Sequence, residues 1–182
     1  MLAYLFWHTK APATDSAEYE SQLAEFHRAL QRADIEGFVR SQSFRVRDLP
    51  WIPRPHAYED WYVLENSAAL DRLNHAAVHA AAQTPHDRLA AFASWGAGGL
   101  YGHRSGLGNF SAQHAFWFDK PDGLSYGQLY QILEQALPGG ASLWQRRMVL
   151  GPGNEFCALC DEQLNLAAPL AALHVKRSCV DR

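Results

Sequence analysis

The sequence predicts an α+β fold in which one β-α-β-β-α-β unit is used twice and the two antiparallel sheets pack together into a barrel. Three observations predict it. A strand-like run, Tyr4-Leu5-Phe6-Trp7-His8-Thr9-Lys10, returns as His114-Ala115-Phe116-Trp117-Phe118-Asp119-Lys120, with Phe, Trp and Lys in register. Each run is followed by a helix-capping pattern, Asp15 with Glu18 and then Ser125 with Gln128, which satisfies free amides at a helix start. The elements that follow come in the same order in both copies. Self-similarity on this scale constrains a fold more than any single motif.

After the caps, apolar residues fall at helical spacing: Tyr19, Leu23, Phe26 and Leu30 in copy one, Leu129, Ile132, Leu133 and Ala136 in copy two. The first helix is expected to end near Asp34, before Gly37. The second stops at Leu137-Pro138-Gly139-Gly140. A strand over residues 38–44 corresponds to one over 144–150, and a strand over 60–64 to one over 155–159. Between the two strands of copy one lies Asp48-Leu49-Pro50-Trp51-Ile52-Pro53-Arg54-Pro55, whose three prolines exclude regular structure from most of it. Ala76-Ala77-Val78-His79 and Ala171-Ala172-Leu173-His174 are read as matching second helices, the latter starting late or kinked at Pro169. Each copy closes with a short strand, 101–105 and 175–179. Copy one carries an extra segment before its closing strand, with a helix start at Thr84-Pro85-His86-Asp87 and a flexible connection or lid at Gly96-Ala97-Gly98-Gly99.

This order is that of the ferredoxin-like split βαβ unit. One such unit leaves a sheet face uncovered by its helices, and a second sheet packed on that face buries it. The expected division is 1–108, with loop insertions at about 48–57 and 80–99, and 109–182. The chain of 182 residues is 48% hydrophobic, enough for a real core.

A net charge of −3 without a basic stripe argues against nucleic acid as a partner. No apolar run reaches membrane-span length, and the N-terminal run lacks a signal-peptide pattern, so a cytoplasmic protein is expected. Three cysteines, Cys157, Cys160 and Cys179, do not make a disulfide framework. Cys157-Ala158-Leu159-Cys160 is a C-x-x-C on a strand, where the two thiols point to opposite faces. Buried reduced thiols are the expectation.

The repeated runs and the doubled element order together resemble the dimeric α/β-barrel superfamily, in a fused form with both halves in one chain. That group includes antibiotic-biosynthesis monooxygenases, ethyl-tert-butyl-ether-degradation-type proteins and stress-responsive barrel proteins. The resemblance is architectural and covers nearly the whole chain. It brings cofactor-free oxygenases, isomerases and haem enzymes into view, but no catalytic motif transfers residue by residue.

Candidate residues therefore come from the chain itself. In Tyr58-Glu59-Asp60-Trp61-Tyr62, strand alternation puts Tyr58, Asp60 and Tyr62 on one side and Glu59 and Trp61 on the other. A carboxylate beside two phenols suits a general base or the orientation of a phenolic substrate. A structural strand with its acid at an exposed end is the plainer reading. Copy two offers Glu155 and Cys157 as the counterparts of Asp60 and Tyr62. Polar residues on expected strands add His8 and His103 as proton carriers. Arg40 and Arg104 are candidates for holding an acidic group in a barrel lumen.

The assigned catalytic set is His8, Asp60, Tyr62 and His103. The substrate-binding set is Trp7, Arg40, Tyr58, Trp61 and Arg104. His75 and His79, one helical turn apart and preceded by Asp71, with His86 nearby, are a weaker metal or haem set than they are solvated helix histidines. No cofactor is the primary expectation, with haem or a divalent metal as the alternative.

Three functions remain in play. The first is a small-molecule site in or at the mouth of the copy-one half-barrel, binding an aromatic or apolar acid for isomerase-like proton transfer or monooxygenase-like, cofactor-free oxygenation. The second is haem or metal binding through helix histidines. The third is a non-catalytic assembly barrel. Homodimerisation through free strand edges is expected.

Overall fold

The computed structural model describes residues 1–166 and 168–180. Copy one begins with β1 (Leu2–Lys10), whose buried residues alternate along its first half. Helix α1 (Ser16–Arg32) starts where the Asp15 carboxylate accepts from the amides of Ala17 and Glu18. Strands β2 (Phe38–Arg47) and β3 (His56–Leu64) follow. Helices α2 (Ala68–His79) and α3 (Gln83–Phe92) lead into a long strand β4 (Ala93–Gly106). Copy two comprises β5 (His114–Phe118), α4 (Tyr126–Ala136), β6 (Ser142–Arg146), β7 (Phe156–Cys160) and the pair β8 (Leu173–Lys176) and β9 (Ser178–Cys179). At α4 the expected capping box is formed between Ser125 and Gln128.

The strands run in the order β8-β5-β7-β6-β4-β1-β3-β2-β9, and every pairing is antiparallel. Copy one contributes β4-β1-β3-β2 and copy two β8-β5-β7-β6, the same ferredoxin-like arrangement. The copies meet through β4 and β6, where His103 lies opposite Trp144. The two ends of the sheet, β8 and β9, are separated in sequence by Arg177 alone. The last segment of the chain therefore bridges from β5 to β2, where Cys179 lies opposite Phe44, and nearly closes the barrel.

The barrel interior is filled. Trp7, Trp61, Trp117 and Trp144 are all fully buried there with Phe44, Tyr101 and Phe110. Among them sits an ion pair, Glu59 with Arg177, 3.1 Å apart and both 0% exposed. The indole N–H groups of Trp7 and Trp61 donate to the two carboxylate oxygens of Glu59, at 2.9 and 2.8 Å. Arg177 also donates to the carbonyls of Phe110 and Ala112 in the segment that joins the copies. The buried ion pair is thus satisfied on both sides, as burial of charge demands. The proline-rich loop turns Leu49 and Ile52 into this core and sets Trp51 edge-on against Trp7 and Trp117. It plugs one end of the barrel.

Several expectations need correction. Residues 171–174 form no helix, and His174 lies on strand β8. Pro169 lacks the amide a helix would use, and Leu164, Leu166, Leu170 and Ala172 lie directly on the sheet instead. Strand β6 ends at Arg146, and Met148 adopts a positive φ of 54° beyond it. Gly96 to Gly99 are neither a loop nor a lid; they pair with β1 as part of β4. The reason is steric. A Cβ at Gly96 would strike the Phe6 ring, and one at Gly98 the Tyr4 ring. The aromatic side chains of β1 lie across a strand that carries none there. Gly98→Val is expected to displace Tyr4 and cost about 1–3 kcal/mol through overpacking. A urea midpoint equal to that of the unaltered protein would refute this.

Candidate functional site

The outer face of copy one, beneath α1, α2 and α3, holds a cavity of about 570 Å³, within the range of small-molecule sites. Its floor is Tyr4, Phe6 and His8 from β1 and Asp60 and Tyr62 from β3. Strand pairing places them: Phe6 is opposite Asp60, with Tyr62 opposite Tyr4 and Tyr58 opposite His8. Tyr19, Phe26 and Leu30 of α1, Leu73 of α2, and His86 and Leu89 of α3 form the walls. The cavity is largely apolar; Asp71, Asn74 and His86 contribute polar groups from the helices, and the floor has a polar end at His8, Asp60 and Tyr62.

That polar end is built around Asp60, which is 1% exposed. Its Oδ2 accepts from the Tyr62 hydroxyl at 2.8 Å. The Nε2 atoms of His8 and His27 lie 3.1 and 3.5 Å from the same oxygen. These are ion-pair distances without the aligned approach of a full hydrogen bond. Oδ1 has no hydrogen-bond partner among the described residues. The far ring nitrogens are also held: His8 Nδ1 is 2.6 Å from the Tyr19 hydroxyl, and His27 Nδ1 is 2.6 Å from Ser41 Oγ. The His8 ring stacks on Phe6 and Tyr58, and the His27 ring on Tyr62. Both imidazoles are therefore fixed in orientation.

The electrostatics follow from this packing. Burial pushes the Asp60 carboxyl up, but His8 and His27 outweigh it and hold the group well below the usual carboxylate range. Tyr62 is driven far upward by burial, then by the Asp60 charge and its hydrogen bond. Tyr19 rises for the first two of these reasons, as does Tyr4. The phenols remain donors and the carboxylate remains an anion. The arrangement can accept a proton from a bound molecule and stabilise the imidazolium that results.

Copy two has no equivalent. Phe116 is opposite Ala158, and Phe118 opposite Phe156. By this register Ala158 stands where Asp60 does, Cys160 where Tyr62 does and Phe118 where His8 does, so Glu155 and Cys157 are not the counterparts. Leu129 and Leu133 of α4 pack onto these side chains.

Structural comparison places the chain. A candidate monooxygenase from Fusobacterium nucleatum subsp. nucleatum matches over 99% of this chain and 92% of its own, with a TM-score of 0.64 at 9% identity. Chlorite dismutase from Candidatus Nitrospira defluvii matches over 99% of this chain and 92% of its own, at TM-score 0.51 and 11% identity. The fold is the dimeric α/β barrel. SnoaB, a cofactor-independent oxygenase from Streptomyces nogalater, matches 59% of this chain with 97% of its own, at TM-score 0.43 and 22% identity. No protein-family model matches the sequence, and no curated protein does.

In this α/β barrel the residues singled out from sequence separate by strand parity. His8, Asp60 and Tyr62 come together on the cavity floor, with Asp60 buried rather than at an exposed strand end. Tyr58 lies behind His8 and donates to Glu20 at 3.1 Å. Trp7 and Trp61 face the filled interior and bind Glu59, so they do not line the cavity. His103 sits against Trp144, 5.1 Å between ring centroids, away from the cavity. Burial, and then the charge of the N-terminal amine, lowers its pKa. Arg40 lies over the Phe110 ring, and Arg104 donates to Tyr130. Neither lines the cavity.

His75 and His79 are exposed on α2, with ring centroids 5.8 Å apart. Among the described residues, no three His, Cys, Asp or Glu side chains are grouped as a metal ion would need. No helix among the described residues is long and apolar enough to cross a membrane.

Sequence reasoning missed His27, Tyr19 as a polar partner, and Ser41. His27 had a readable signal: it lies four residues after Leu23 on the apolar face of α1, a buried position for a titratable group.

Proposed function

We propose that this protein is a small-molecule enzyme that removes a proton from a flat aromatic or enolisable acid bound in the cavity under α1–α3. His8 is the base, reached through the Tyr19 hydroxyl: as Tyr19 takes the substrate proton it passes its own to His8 Nδ1. Asp60 stabilises the imidazolium, and Tyr62 and His27 hold Asp60 in place. The observation that carries this reading is the convergence of His8, His27 and Tyr62 on one buried carboxylate, with Tyr19 joining His8 to a largely apolar cavity. Buried titratable groups with shifted pKa values in a cleft are candidates for catalytic roles.

Deprotonation of such a substrate yields an electron-rich enolate or phenolate. Reprotonation at another atom makes the reaction an isomerisation; capture by dioxygen makes it a cofactor-free oxygenation. The candidate monooxygenase that shares the fold favours the second outcome.

Exchange of substrate hydrogen with deuterated solvent reads the proton step without assuming either outcome. Incubation of the protein with a panel of hydroxyquinones and phenolic ketones, followed by NMR, is expected to show catalysed exchange for at least one compound. His8→Ala is expected to slow it by about 10²–10⁴-fold, the usual contribution of a general base. Exchange that is absent across the panel, or unchanged in His8→Ala, refutes the assignment. Because the tryptophans face the barrel interior, their fluorescence is a poor reporter of this cavity.

A further inference from the structure

We propose that a second cleft, at the seam where the barrel closes, binds a small multiply charged oxyanion of the phosphorylated or polycarboxylate class. This goes beyond the proton-transfer reading and does not depend on it. Strand β9 covers β2 only at Phe44 and Arg45, and β8 pairs with β5. The two strands splay beyond that point and leave a cleft of about 1020 Å³.

Lys10, Arg45, Arg47, Arg54 and Lys176 reach this cleft from four separate segments, against two carboxylates, Glu20 and Asp48. Arg45 is held by Glu20 through two contacts of 2.6 Å, and Lys10 donates to the Thr14 carbonyl. Arg47, Arg54 and Lys176 are exposed and form no ion pair among the described residues. Three cations without an ion pair thus line a concave site beside one unengaged carboxylate, Asp48, an excess of positive charge that an oxyanion relieves. The chain as a whole carries −3, so the surface outside the cleft is acidic. That favours a compact ligand confined to the cleft over a long polyanion running across it.

Isothermal titration of the intact protein with pyrophosphate and with citrate, at low ionic strength, tests the site. Saturable one-site binding is expected for at least one probe. The stronger probe assigns the class: pyrophosphate for a phosphorylated ligand, citrate for a polycarboxylate. The variant carrying Arg47→Ser, Arg54→Ser and Lys176→Ser is expected to bind at least tenfold more weakly with an unchanged melting temperature, since all three side chains are exposed. A control carrying Arg72→Ser and Arg88→Ser is expected to bind like the unaltered protein. No saturable heat at millimolar probe overturns the proposal. So does equal weakening in both variants, which would mean diffuse attraction alone.

Discussion

Replacing Arg177 with alanine is expected to destabilise the protein by about 3–5 kcal/mol, the usual cost of leaving one member of a buried ion pair without its partner. Three losses coincide at this position. Glu59 keeps its charge contacts only with two indoles. The carbonyls of Phe110 and Ala112 lose their donor. The guanidinium also leaves the face of Phe44, over which it lies at 3.9 Å. Because Arg177 links β8 to β9, the loss falls on the segment that bridges the two ends of the sheet. Urea unfolding of Arg177→Met and of Arg177→Met with Glu59→Gln separates charge from packing. The double variant is expected to be more stable than the single one, because the neutral amide no longer buries an unpaired charge. Simple additivity of the two substitutions would sink this account of the core.

Asp60→Asn is expected to have the second large effect, on both stability and the proton step. The folded-state pKa of Asp60 is depressed, so its carboxylate contributes stability above the unfolded value of about 3.9. That contribution is lost as pH falls below this value toward the folded one. The expected loss near neutrality is about 3 kcal/mol, that of breaking a buried pair. Stability of Asp60→Asn should also fall less steeply than that of the unaltered protein as the solution is acidified below about pH 4. Parallel acid limbs for the two proteins would show that Asp60 is not the titrating anchor. In the exchange assay the same variant retains His8 but forfeits the anion beside it, and a fall of about 10²-fold is expected.

The sequence made the duplication legible because strand alternation, helix caps and turn residues are local signals. Phe6-Trp7 and Phe116-Trp117 do mark equivalent first strands, and Asp15 and Ser125 do cap equivalent helices. The pairing of His8 with Asp60 needed the register of β1 against β3, which brings a residue of the first strand beside one more than fifty positions later. Alternation had put Tyr58, Asp60 and Tyr62 on one face but carried no information on whether that face was the lumen. It is the helix-covered side, so a cavity sought inside the barrel lies outside it. Gly96 and Gly98 misled for a related reason. Glycine reads locally as flexibility, whereas here its meaning lies in Phe6 and Tyr4 on the neighbouring strand. The expected second helix of copy two failed because Pro169 outweighed alanine propensity, with Leu170 buried on the sheet instead.

The apolar residues at the copy-two counterparts of this cluster bear on how such a barrel can diverge. When a barrel assembles from two identical subunits, one gene encodes both pockets, and any change that improves one alters the other. Joining the halves in a single chain removes that bond. Phe118 and Ala158 can then serve cohesion while His8 and Asp60 keep a charged arrangement that the other half does not repeat. The linked barrel thus permits a division of labour, in which one half supplies cohesion while its twin is free to hold a buried charged cluster.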